Sequence, residues 1–300
     1  MKTYGWELQI GWRDQIGDFK YGAKLSLSDS QSKILRYGNP TGSLSKYVEG
    51  YLIGNIYGYT TIGIAKTDEE MQQHLASLPN GGQSALGSQW AAGDIMYADL
   101  NGDGKINNGS YTINDMGDMK KIGNSTPRFM TGINLDAAYK GWDLQMFWQG
   151  VLKRDWWPGD KNMTFWGVTD GEWWSTSFKE HLDYFRTSEN PLGENLNSYY
   201  LRPIFNTKNN KSQTRYLQNA AYMRLKNIQV GYTFPKVWIN KLMLQNLRIF
   251  VSGENLLTIT SLSDTMDPET CGAGYQSTEQ ANGTVYPLAK TISFGLSVNF

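Results

Sequence analysis

Asp99, Asn101 and Asp103 place oxygen-bearing side chains at alternate positions ahead of Gly104, Lys105 and Ile106. Oxygen donors at positions 1, 3 and 5, a glycine at 6 and a backbone carbonyl at 7 (here that of Lys105) form the first half of a loop that wraps calcium. The bidentate carboxylate that such a loop needs at position 12 falls on Ser110, which cannot serve, so Asp115 or Asp118 would have to loop back in its place. The same residues also suit a solvated turn, because Asp, Asn and Gly tolerate left-handed backbone and form Asx turns. A bound calcium would pin a long loop rather than catalyse.

A second group is aromatic. Trp156-Trp157-Pro158, Phe165-Trp166 and Trp173-Trp174 lie close together, with Asp155, Asp160, Asp170 and Glu172 among them. Exposed indoles of this kind stack on sugar faces while carboxylates accept hydroxyl hydrogen bonds, which makes Trp156, Trp157, Trp166, Trp173 and Trp174 candidate substrate contacts. The alternative is that these rings pack the segment on itself or against a lid protein.

No constellation for catalysis stands out. His74 and His181 are isolated, without a Gly-x-Ser-x-Gly or His-Glu-x-x-His pattern around either. Glu69-Glu70 sit in a polar, helix-like stretch from Thr67 to Leu78 with Thr67 as its cap, which reads as a solvated face. An enzyme is not expected, and no catalytic residue is assigned. Lys+Arg and Asp+Glu both number 28, so there is no basic field for nucleic acid. The single cysteine, Cys271, excludes an internal disulfide.

The elements that would carry these groups are strands. Tyr4, Trp6, Leu8, Ile10 and Trp12 alternate with Gly5, Glu7, Gln9, Gly11 and Arg13, and the same period of two recurs along the chain. Seven strands are expected near 4–13, 19–34, 128–139, 142–153, 222–234, 247–257 and 287–300, each with one apolar and one polar face. Most are long enough to cross a bilayer at a tilt, for which about ten residues suffice. Short connections at 14–18, 140–141 and 235–246, the last with room for a short helix, alternate with long ones at 35–127, 154–221 and 258–286. That asymmetry, the aromatics toward strand ends and the terminal Phe300 fit a membrane barrel with short inner turns and long outer loops. So does the composition, with 18 Tyr, 11 Trp, 11 Phe and 32 Gly at a mean hydropathy of −0.50. There is no apolar run of about 18 residues for a spanning helix. The first residues lack a signal-peptide core, and seven strands leave unpaired edges, so an upstream part is expected.

Between residues 93 and 150 the pattern becomes specific. Gly93-Asp94-Ile95, Asp99-Leu100-Asn101-Gly102-Asp103-Gly104-Lys105-Ile106, Ile122-Gly123-Asn124, Tyr139-Lys140-Gly141-Trp142-Asp143-Leu144 and Phe147-Trp148-Gln149-Gly150 resemble the SusC/RagA group of TonB-dependent outer-membrane transporters of the Bacteroidetes. Matches continue through Tyr222-Met223-Arg224-Leu225-Lys226-Asn227-Ile228, Gly231-Tyr232-Thr233-Phe234-Pro235, Ser252-Gly253-Glu254-Asn255-Leu256, Asp267-Pro268-Glu269 and Tyr286-Pro287-Leu288. The resemblance implies the C-terminal part of a 22-stranded barrel whose plug and TonB-contacting segment lie elsewhere. It also implies a SusD-like surface lipoprotein as partner, a glycan or peptide as substrate, and a place in the bacterial outer membrane. In such barrels the last strand ends in the periplasm, which puts 35–127, 154–221 and 258–286 outside and the three short turns inside. A secreted, calcium-braced β-sandwich that binds carbohydrate through its tryptophans is the competing reading.

Overall fold

The computed structural model describes residues 1–173, 175–271 and 287–300, so Trp174 and Tyr286 lie outside the described residues. In chain order the strands are β1 (Lys2–Ile16), β2 (Phe19–Lys33), β3 (Asn55–Tyr59), β4 (Thr61–Ile64), β5 (Ile95–Tyr97), β6 (Met119–Asn124), β7 (Arg128–Tyr139), β8 (Trp142–Lys153), β9 (Asp155–Trp156), β10 (Gln218–Asn219), β11 (Tyr222–Thr233), β12 (Asn246–Thr260) and β13 (Thr291–Asn299). Short helices α1 (Asp68–Ala76), α2 (Met163–Trp166) and α3 (Lys236–Ile239) interrupt the connections.

Seven of these strands form one antiparallel sheet in the order β1-β2-β7-β8-β11-β12-β13, which is the set expected from the alternation. Long loops intervene, yet every neighbour in the sheet is the next long strand in the chain. The register carries the two faces across the whole sheet. One row runs Trp12, Ala23, Leu135, Met146, Ile228, Gly253 and Ile292, each opposite the next. The neighbouring row on the other face runs Arg13, Gly22, Asp136, Gln145, Gln229, Ser252 and Ser293. No second sheet covers the apolar face among the described residues. Trp12 is 65% exposed and Phe294 81%. A sandwich would bury that face against another sheet about 10 Å away.

At the turn end, aromatics form a belt on the apolar face. The Phe19 and Tyr139 rings lie 6.5 Å apart, Trp142 and Tyr232 4.9 Å, and Tyr232 and Phe234 5.1 Å. Lys140 (φ 46°) and Gly141 (φ 88°) both take left-handed backbone in the β7–β8 turn, the conformation that matches the twist of a two-residue hairpin. The first turn is tighter than the expected 14–18. Asp14, Gln15 and Ile16 stay paired to Tyr21, Lys20 and Phe19, leaving Gly17-Asp18 as the loop. Between β11 and β12, the expected short helix is α3.

The polar face is cross-linked by charge. Arg13 reaches Asp136 at 3.3 Å, and Arg248 holds Asp143 through Nε at 3.0 Å and Nη2 at 2.5 Å. To do so the Arg248 guanidinium lies across Gly231, where any Cβ would collide with it. The register shifts between Leu225 and Asn227 against both neighbours: β11 has one residue more than β8 there, and β12 one more than β11. Arg224 and Lys226 both reach Glu269 on the following connection.

The described parts of the long connections are not open loops. They fold on one another at the far end of the sheet around a shared core that includes Tyr59, Met71, Ile95, Tyr97, Phe165, Trp166, Leu201 and Tyr216. Thr67 caps α1 by accepting the Glu70 amide at 3.2 Å, as the sequence predicts. β3 pairs with β6 and β4 with β5, two small ladders not foreseen from the alternation. Trp166 is fully buried. Its ring lies 4.7 Å from Phe165 and 4.8 Å from Tyr216, and its Nε1 donates to the Gly159 carbonyl at 2.8 Å. Trp166→Ala is expected to cost about 3–5 kcal/mol of loop stability. Hydrogen exchange should rise across 155–220 while the sheet strands stay protected; unchanged exchange there would contradict a shared core.

Candidate functional site

Asp94 joins the two longest connections. Its carboxylate is fully buried and accepts from Arg202 Nε (2.7 Å) and Nη2 (2.8 Å), from Lys208 Nζ (2.8 Å) and from Asn209 Nδ2 (2.8 Å). The Ala91 amide donates to Oδ2 at 3.0 Å. Lys208 spends its other donors on the Ser88 and Gln89 carbonyls, both at 2.9 Å, and lies 4.5 Å from the centre of the Trp90 ring. Asn209 also accepts the Ile95 amide at 2.9 Å, so the β5 strand is fastened to the second loop at its first residue. Gln83 and Gln213 complete the junction, Gln83 bonding the Tyr97 amide and the Ile95 carbonyl, Gln213 the Tyr97 hydroxyl. Charge buried in this way is tolerated only when paired and hydrogen-bonded throughout. Asp94 is part of the Gly93-Asp94-Ile95 motif, but no local pattern marks its partners more than a hundred residues away.

The calcium-type loop has the donor types, turned inward on backbone. Asp99 accepts the Gly102 amide at 2.6 Å and the Gly104 amide at 2.8 Å, Asn101 accepts the Asp103 amide at 3.0 Å, and Asp103 accepts the Lys105 amide at 3.2 Å. Of the two acids offered as the returning ligand, Asp118 comes to the loop. It is fully buried and takes the Leu100 amide at 2.9 Å and the Asn107 amide at 2.8 Å. Asp115 does not come back; it closes its own turn through the Ser110 amide at 2.8 Å and the Gly117 amide at 3.2 Å. Burial pushes the Asp118 carboxyl above the usual range, and the nearby Asp99 charge adds to this against the hydrogen bonds it accepts. Burial also acts on Asp99, but there the amides of Gly104, Gly102 and Asp103 outweigh it and hold the group low. Among the described residues, no three acidic, histidine or cysteine side chains converge as a ready metal site. Asp99 and Asp118 lie close enough for each to act on the other's carboxyl, and both are satisfied by backbone amides.

The tryptophans divide. Trp156 and Trp166 are enclosed in the loop core, so the expectation of sugar stacking is corrected for these two: the packing alternative holds, because each ring is covered by other side chains. Trp157 packs against that core, its ring 6.0 Å from Trp166. Trp173 is 79% exposed, and Trp174 is outside the described residues. His181 is buried, its Nδ1 accepting the Phe178 amide at 2.8 Å and its Nε2 lying 3.1 Å from the Phe165 carbonyl.

A third cluster ties the last connection to the sheet. Arg224 bonds Asp267 at 2.9 Å, Glu269 at 2.8 Å and the Thr258 hydroxyl at 2.8 Å, and Lys226 reaches both Glu269 oxygens at 3.2 Å. Asp267 also accepts the Leu288 amide at 3.1 Å, so both flanks of that connection meet at one carboxylate.

Replacing Asp94 with alanine strands buried positive charge and is expected to cost about 3–5 kcal/mol. The wild-type contribution also depends on pH. Burial raises the Asp94 carboxyl, but hydrogen bonds from Arg202, Lys208 and Asn209 outweigh it and leave the group below the usual carboxylate range. A group depressed by folding stabilises fully above its unfolded value of about 4 and loses that contribution as pH falls through the folded value. The loop unit should therefore loosen in acid, below about pH 4, and Asp94→Ala should flatten that acid limb. Unfolding followed from pH 7 to pH 2 checks this, and an unchanged limb in the variant would contradict it.

No family model matches the chain. In sequence it is similar to the TonB-dependent receptor P3 of Formosa agariphila, 27% identical over the whole chain, and to TonB-dependent receptor P39 of the same organism at 23%. The chain spans 29% and 30% of the length of these relatives. In fold it is similar to the RagAB peptide transporter, with a TM-score of 0.58, 17% identity and 99% of the chain covered against 29% of that structure. The RagAB peptide importer in its "open-open" and "closed-closed" states matches at a TM-score of 0.56 in each case. The chain is thus similar along its whole length to TonB-dependent receptors, and its fold is that of an all-β portion of a barrel.

Proposed function

We propose that this sheet is part of the wall of an outer-membrane importer of glycans or peptides, working with a SusD-like surface lipoprotein over its loops. TonB contact would be made by parts of the receptor that the chain does not span. The observation that carries this reading is one continuous sheet whose apolar face is uncovered while all long connections leave from one end. Six of the strands have 12 or 15 residues, more than the 9–11 that a tilted spanning strand requires. The aromatic belt at the opposite, short-turn end stands where a barrel's inner girdle would lie. On this reading the apolar rows face lipid, the Arg13–Asp136 and Arg248–Asp143 pairs face the lumen, and the packed loops are extracellular.

Asp99, Asn101, Asp103, the Lys105 carbonyl and Asp118 are proposed to hold calcium, which would relieve the two neighbouring carboxyls and brace the loop. Trp157, Trp173 and Trp174 are proposed to meet a substrate or lid, while Trp156 and Trp166 belong to the loop core.

A peptide tag inserted at Asn108 or Glu189 of the full-length receptor should be labelled on intact cells, and one at Asn240 should not. Surface labelling at Asn240 would overturn the topology. Calorimetry should show calcium binding with a dissociation constant of about 10⁻⁴–10⁻³ M, weakened by Asp103→Ala. Absence of any heat at millimolar calcium would remove the metal site.

A further inference from the structure

A cleft of about 860 Å³ opens where the inner, polar face of the sheet meets the first long connection. Met130, Val151 and Tyr222 stand opposite one another on β7, β8 and β11 and form its floor. Ile34, Leu44, Leu52 and Ile53 supply much of the wall. The volume falls within the roughly 300–1,000 Å³ of small-ligand sites.

Its polar side chains are largely committed elsewhere. Ser125 Oγ donates to the Gly54 carbonyl at 3.3 Å, Thr126 Oγ1 to the Ile53 carbonyl at 3.0 Å, and Asn55 Oδ1 accepts from Asn124 at 3.0 Å. The Arg154 guanidinium is taken up by the carbonyls of Ser125 (3.3 Å), Pro268 (3.2 Å) and Cys271 (2.7 Å). Glu269 is held by Arg224 and Lys226. What remains to face a ligand is mostly aliphatic surface, with tyrosine side chains and Ser45. A sugar would press many of its hydroxyls against this aliphatic surface, where they lose water without gaining partners. Apolar side chains meet no such penalty and gain by leaving water. At the rim, Lys46 is exposed and makes no ion pair among the described residues, which complements a carboxylate.

We propose that this cleft is a subsite for the apolar side chains of an oligopeptide, with the peptide's carboxylate toward Lys46. The proposal rests on the importer reading and narrows its substrate. It differs from the tryptophan segment as a place of contact.

The test uses the full-length receptor purified from the outer membrane. Fluorescence anisotropy would compare a labelled Leu- and Phe-rich octapeptide, a Ser- and Gly-rich octapeptide and a labelled neutral hexasaccharide. The apolar peptide is expected to bind best, and Leu52→Asp and Lys46→Glu should each weaken it about tenfold, a change of about 1.4 kcal/mol. Lys46 is exposed, so its variant keeps the test open should Leu52→Asp disturb the loop. Apolar-peptide affinity unchanged in both variants would overturn the subsite. So would tighter binding of the hexasaccharide than of the apolar peptide, while leaving the importer reading intact. A receptor absent from the outer membrane would bring down both.

Discussion

A one-residue slip anywhere in the seven-stranded sheet would exchange its two faces, and the rest of the structure depends on that register. The row from Trp12 to Ile292 crosses every strand without changing side, as does the row from Arg13 to Ser293. Tight turns fix two of the hairpins, and charge fixes the polar face: Arg248 reaches Asp143 over Gly231, two strands away, only when β8, β11 and β12 are in this alignment. An uncovered apolar face of this extent makes no sense in water and is the natural surface of a wall in lipid.

The loops obey a different rule. They belong to the watery side, so they are built like a small soluble protein, with an aromatic core and a buried charge at its centre. Asp94 is to this unit what the register is to the sheet. Without it, Lys208 would be a buried cation with no counter-charge, and the second loop would lose the bonds that Arg202, Lys208 and Asn209 make to the first. The Arg224 cluster anchors the last connection to the sheet by the same means.

Much of the sheet could be read from the chain because period two is local: Leu135 and Asn134 declare their faces by their neighbours alone. The Lys140-Gly141 turn and the Thr67 cap are local signals too. What stayed hidden is long-range. Asp94 meets residues 108 and more positions away, and nothing near it in the chain names Lys208 as a partner. The tryptophans illustrate the same limit, since composition reveals indoles but not whether Trp166 faces water or Tyr216. The Asp99 motif lay between these cases. Its turn geometry was legible, whereas the return of Asp118 rather than Asp115 depends on how 107–118 folds back.

The lipid-facing wall is tested most directly along one strand. Single cysteines placed from Asp143 to Gln149 on β8 of the full-length receptor, spin-labelled in a bilayer, report contact with lipid-soluble oxygen or with a water-soluble nickel complex. Leu144, Met146 and Trp148 should favour oxygen, and Asp143, Gln145, Phe147 and Gln149 the nickel complex, in strict alternation. Equal access to the nickel complex at all seven positions would contradict the barrel wall.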